Sequence, residues 1–229
     1  GMDCMINYND NNTLYYSFQN GGLRRSTNGG NTATGIKPPG SIGSWVTPYA
    51  MDATNPNIIY GGYSDVFRST DSGTTWTNLG SDGRGAFAVG INDPTRLYAA
   101  VGSAIQTSAN TGGSWTTITG SWPGLTITFI AVDPADANRV WITLGGYTAG
   151  EKVYESTNAG ATWTNISGAL PNLPAHCIAF ENTGGTPADA LYIGMSVGVY
   201  YTSDVTPWQL YETGLPNVPV YDLEINETS

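Results

Sequence analysis

The stretch "STDSGTTW", residues 69–76, decides the fold because it is not unique. Close copies read "STNGGNTA" at 26–33, "SANTGGSW" at 108–115 and "STNAGATW" at 156–163, and a worn copy, "TSDVTPW", lies at 202–208. Successive copies begin 39 to 48 residues apart. Self-similarity at a fixed period of this size is the mark of a repeat architecture.

Each copy sits in the same local context. An apolar run ends at an Asp-Pro or Asn-Pro turn, as in "AMDATNPN", "VGINDPTR" and "IAVDPADANR". A second run follows ("NIIYGG", "RLYAAV", "RVWITL", "ALYIGM"), and a third enters the box ("DVFRS", "AIQTS", "KVYES", "GVYYT"). A fourth leaves it ("TTWTNL", "GSWTTI", "ATWTNI"). Short β-branched and aromatic runs bounded by Gly, Asn and Pro read as strands, here named A, B, C and D. Four antiparallel strands in roughly 44 residues make one blade of a β-propeller. The expected class is all-β: a propeller of four-stranded blades in five repeats, at about 3–36, 45–80, 86–119, 126–167 and 175–213. An extra A-like strand is expected at 220–225, and residues 1–229 form one propeller domain or a segment of one. Ala33 in place of Trp and Pro207 in the last box fit the atypical ends of arrays.

Composition agrees. The 229 residues include 30 Gly and 13 Pro, and only 11% are charged. Such a chain favours short strands and many turns, and 40% hydrophobic residues suffice for a core, which excludes disorder. A net charge of −10 repels phosphate backbones and argues against nucleic acid. No apolar run approaches the ~18 residues of a membrane span, and no signal-peptide pattern opens the chain. Cys4 and Cys177 lack metal-ligand spacing; a disulfide and two free thiols both remain open. No metal cluster and no cofactor loop is evident.

The pattern Ser-x-Asp/Asn-x-Gly-x-Thr/Ser-Trp resembles the Asp-box, or BNR, repeat. It occurs in propellers of bacterial sialidases, xyloglucan-cleaving hydrolases, sortilin-type receptors and a photosystem II assembly factor. The resemblance covers nearly the whole chain. Phrases such as "QNGGLRRSTNGG" at 19–30 have the look of large secreted bacterial proteins. It implies a secreted or cell-surface location and a polysaccharide or protein ligand. An open ring would favour pairing with another copy.

Inside the box, Asp71 is expected to accept turn N–H groups as an Asx turn, Gly73 to supply an unusual backbone angle, and Trp76 to pack between blades. Asn28, Asn110 and Asn158 stand where Asp71 stands, which argues for structure rather than catalysis or metal binding. Ser26, Gly30, Ser69, Ser108, Gly112, Trp115, Ser156, Gly160 and Trp163 complete these structural sites. Antiparallel strands place the A–B and C–D turns at one end of each blade and the B–C and D–A loops at the other. Function is expected at that other end, where loop lengths vary. The candidates there are Trp45 and Trp122 in D–A loops, Tyr63 and Tyr147 in B–C loops, and Asp82 with Arg84 in "SDGRG".

The enzyme readings fare worse. A sialidase needs three converging arginines, and of the six here only Arg84 falls at the expected end. A xyloglucanase-like hydrolase needs two carboxylates flanking the scissile bond. Where that family carries the Asp of its Arg-Thr-Asp-x-Gly-Gly motif, this chain reads Ser17-Phe18-Gln19-Asn20-Gly21-Gly22, with an amide at Gln19. His176, the sole His, shows no Ser or Cys partner in the sequence. The expected function is a non-catalytic module that binds carbohydrate or protein. The alternatives are part of a glycoside hydrolase and a sortilin-like peptide binder.

Overall fold

The computed structural model describes residues 3–181, 189–203, 206–211 and 214–225. Those residues contain no helix and form five separate four-stranded antiparallel sheets. The chain divides into two compact units, Gly1–Thr117 and Ile118–Ser229.

The first unit carries three sheets. They are β1 (Cys4–Ile6), β2 (Leu14–Phe18), β3 (Gly22–Ser26) and β4 (Thr34–Gly35); β5 (Tyr49–Met51), β6 (Ile59–Gly62), β7 (Val66–Ser69) and β8 (Thr77–Asn78); and β9 (Ala86–Val89), β10 (Leu97–Val101), β11 (Ala104–Ser108) and β12 (Thr116–Ile118), whose last residue begins the second unit. The second unit carries β13 (Ile127–Val132), β14 (Val140–Leu144), β15 (Val153–Ser156) and β16 (Thr164–Asn165), then β17 (Ala175–Glu181), β18 (Ala190–Met195), β19 (Gly198–Ser203) and β20 (Thr206–Leu210). Each sheet runs in simple A-B-C-D order, which is the blade of a β-propeller.

Burial explains this order. The B strands β6 and β14 are buried at every position, so they read as continuous apolar runs and not as alternating ones. The outermost strands β4, β8 and β16 are two residues long and exposed. A short polar edge offers little template for unwanted pairing. Cores form between successive sheets: Tyr15, Leu23, Ile36 and Ile59 join the first two, and Tyr60, Val66, Phe87 and Leu97 join the second and third. In the second unit Trp141, Val153, Ile178, Phe180 and Ile193 do the same.

The boxes are turns with one repeated geometry. In the second blade Ser69 Oγ donates to Asp71 Oδ1 (2.8 Å) and accepts the Gly73 N–H (2.7 Å), while Asp71 Oδ1 accepts the Thr75 N–H (2.8 Å). Asn28, Asn110 and Asn158 accept the Thr32, Ser114 and Thr162 N–H groups at 2.8–2.9 Å. The indole N–H of Trp76 reaches Ile36 O and that of Trp115 reaches Leu79 O, both at 2.8 Å, across to the preceding blade. Trp163 departs from this and donates to its own Gly160 O. The fifth box lies partly outside the described residues.

Residues 220–225 carry no strand ladder of their own. Val220 N–H donates to Met195 O and Val218 O accepts the Gly198 N–H, so this segment leans on the β18–β19 hairpin as irregular chain. The bonds of this segment run to the turn of that hairpin and not to a neighbouring strand, so the strand expected at 220–225 is not formed. Both cysteines are free thiols, Cys4 exposed and Cys177 buried.

Candidate functional site

At the B–C and D–A end of the first unit, four loops meet. Ser44 Oγ donates to Arg84 O (2.8 Å), Ser64 N–H to Ile42 O (2.8 Å) and Gly83 N–H to Tyr63 O (3.0 Å). Gly43 packs against Gly21 so closely that a Cβ on Gly43 would stand 2.6 Å from Gly21 Cα. Loop 40–47 is therefore fixed to the 19–21 turn, to 63–65 and to 82–84. Its tip exposes Ile42, Trp45 and Val46, with Trp45 65% accessible. Beside it Arg84 grips Asp82 through Nε (3.0 Å) and Nη2 (2.6 Å), and this partner raises the Arg84 pKa.

Tyr63 is a pillar under this surface and not part of it. It is wholly buried, and its hydroxyl donates to Gly21 O (2.9 Å) while meeting the Tyr49 hydroxyl (2.9 Å). Burial drives its pKa far up and that of Tyr49 to about 12. The expectation that Tyr63 faces a ligand is corrected: its turn is covered by the 40–47 loop. Gln19 lies exposed in the adjacent turn, followed by Asn20 at φ 61°. An amide there takes up no proton, so Gln19 itself does not serve as the acid of a retaining or inverting pair.

In the second unit Tyr147 is 70% exposed on the β14–β15 loop. That loop is pinned from below by Lys152, fully buried, whose Nζ donates to Gly146 O (2.9 Å) and whose pKa burial lowers. Trp122 needs the same correction as Tyr63. It is buried edge-on against Trp163 (centroids 5.5 Å) and Tyr154 (5.9 Å), where it acts as core.

Two constellations escaped the sequence. Arg139 lies over Trp141 (4.7 Å) and Phe180 (5.3 Å) and reaches Glu155 (2.9 Å), Asp133 (3.4 Å) and Asp189 (3.7 Å). These carboxylates are held by a common cation, beside a groove of about 340 Å³ edged by Trp208 and Leu191. His176 Nε2 lies 3.0 Å from Ser196 Oγ, with the Tyr221 ring tilted against it at 4.5 Å. Burial lowers the His176 pKa. The first is a strand-register effect, and the second depends on a hairpin tip 20 residues away. Among the described residues no group of three His, Cys, Asp or Glu is arranged to hold a metal ion.

No protein-family model matches the chain, and neither does any curated protein. Solved structures do. An ancestral enzyme of glycoside hydrolase family 74 superposes with TM-score 0.73 at 21% identity, over 95% of this chain and 32% of that one. The fold is that of a β-propeller. A xyloglucanase of the same family from Xanthomonas campestris gives 0.68 at 16% identity, covering 91% and 37%. An auxiliary nutrient binding protein from Bacteroides thetaiotaomicron gives 0.63 at 11%, covering 90% and 56%. The chain thus spans about a third of the glycoside hydrolases it matches, and at these identities the likeness is one of fold alone.

Proposed function

We propose that this chain is a non-catalytic β-propeller module of the Asp-box type, from a secreted or cell-surface bacterial protein, which binds polysaccharide or protein. The observation that carries the reading is the fixed, exposed Ile42–Trp45–Val46 tip beside an internally neutralised Asp82–Arg84 pair. A rigid exposed indole with nearby polar groups suits the face of a sugar ring or an aromatic-seeking peptide. Likeness to a nutrient binding protein supports this reading. Likeness to family 74 hydrolases favours a second one, a fragment of a hydrolytic cleft, and Gln19 weighs against activity in this chain by itself.

A glycan and peptide array probed with wild type and Trp45→Ala tests both. Binding by wild type that falls at least about fivefold in the variant supports the site, since a lost aromatic anchor is worth more than about 1 kcal/mol. Unchanged binding by the variant, or no binding by wild type, removes it. Release of reducing ends from a plant polysaccharide by this chain alone overturns the non-catalytic reading.

A further inference from the structure

The other end of the first unit, where the sequence located only structural turns, holds a groove of about 580 Å³. One wall is the β1–β2 turn with Asn7, Asn9 and Asp10, and the other is the second blade's box with Thr70 and Asp71. Arg25 on β3 also lines it, and its Nη1 donates to Ser72 O (2.6 Å).

The polar groups here form an unusual mixture. Arg25 makes no ion pair among the described residues, and its buried Nε has no partner. Asp10 accepts the Thr13 hydroxyl (2.7 Å) and the Asn12 N–H (3.1 Å), with the Asn12 side chain also in reach, and its two oxygens offer about four lone-pair sites in all. Asn7 Oδ1 accepts the Asn9 N–H, and Asn57 Oδ1 accepts Ser72 Oγ–H, so both amides keep their NH₂ donors. The side chains of Asn9, Thr27 and Thr70 line the groove or its mouth and are bonded to nothing among the described residues. Donors and charged acceptors thus stand side by side around an open volume.

An anion in this groove would meet Asp10 and Asp71, and a cation would meet Arg25. A hydroxyl both donates and accepts, so a neutral polyol satisfies both sets at once. The volume falls within the range of about 300–1,000 Å³ usual for small-ligand sites. We propose that this groove binds a neutral saccharide, with hydroxyls donating to Asp10 and accepting from Arg25 and the amides of Asn7, Asn9 and Asn57. The site is separate from the Trp45 surface, at the opposite end of the same blades.

The test is a ¹⁵N-correlation NMR titration of the full chain with D-galactose, D-glucose and cellobiose, and with sulfate as the charged control. Saturable shifts in the side-chain amides of Asn7, Asn9 and Asn57 with at least one sugar, and none with sulfate, are expected. The double variant Asn9→Ala/Thr70→Val touches only exposed, unbonded side chains and is expected to weaken binding roughly 3- to 10-fold, as for one neutral hydrogen bond. Trp45→Ala is expected to leave this titration unchanged while altering the array result above. No saturable shift with any of the three sugars overturns the proposal. So does a shift confined to the Trp45 loop, an equal response to sulfate, or undiminished affinity in the double variant.

Discussion

Asp71 and the asparagines at 28, 110 and 158 show how little the box depends on charge. All four side-chain oxygens accept the N–H four residues on. Only Asp71 adds a carboxylate, whose second oxygen takes the Thr75 hydroxyl at 2.6 Å. Hydrogen bonds from the Thr75 hydroxyl and N–H, then from Ser69, hold its pKa at about 2, below the ~3.9 of an unfolded aspartate. A carboxylate depressed on folding adds stability above the unfolded pKa and loses it as pH falls through the folded one. Asp71→Asn is therefore expected to melt within about 3 °C of wild type at pH 7, with wild type the higher of the two. The gap closes between about pH 4 and pH 2 as Asp71 takes up its proton. Circular-dichroism melts at pH 7, 4 and 2 check this, and a gap independent of pH would show that the carboxylate adds nothing beyond what an amide supplies.

At the scale of the element, the box glycine does two jobs, and sequence discloses one. Gly30 and Gly112 both adopt left-handed backbone, at φ 90° and 81°. A Cβ on Gly30 meets only Leu14 Cδ1 at 3.7 Å, whereas on Gly112 it would lie 2.7 Å from Leu79 Cβ in the preceding blade. Gly30→Ala carries the conformational cost of roughly 1–2 kcal/mol. Gly112→Ala adds overpacking of about 1–3 kcal/mol, since a Cβ cannot swing aside as a chain end does. Urea denaturation of the two variants is expected to separate them by that amount, and equal midpoints would refute the packing role. The same distinction marks what was legible in the sequence. Strand order, turns and the buried B strands follow from local pattern, so "IIYGG" and "VWITL" read directly as blade interior. Tyr63 and Trp122 did not, because each sits in a loop whose exposure is decided elsewhere. The 40–47 loop closes over Tyr63 by virtue of the Gly21–Gly43 approach, and Trp163 receives Trp122. Trp45, in the same kind of loop, stays in water. Arg25 falls on β3 just ahead of the first box, and nothing local in the sequence discloses that its guanidinium lines a groove.

At the scale of the molecule, each unit carries inter-blade cores of its own, and the two cysteines report on different units. Cys4 lies on β1, exposed, in the first. Cys177 lies on β17 in the second, wholly buried, with Val220 O at 3.6 Å from its sulfur. Burial pushes its thiol up to about 12. The thiolate is the reactive form, so Cys177 is protected twice, by exclusion of reagent and by lack of ionisation. A colorimetric disulfide reagent at pH 8 is expected to titrate one thiol rapidly in the native protein and two in denaturant. The slow thiol then becomes a clock for the second unit: its labelling rate at low reagent follows the opening of the β17–β18 core, since local opening sets the accessible population. Two fast thiols in native protein would mean that the 214–225 segment and β18 do not cover Cys177 in solution, and none would mean that Cys4 is sequestered.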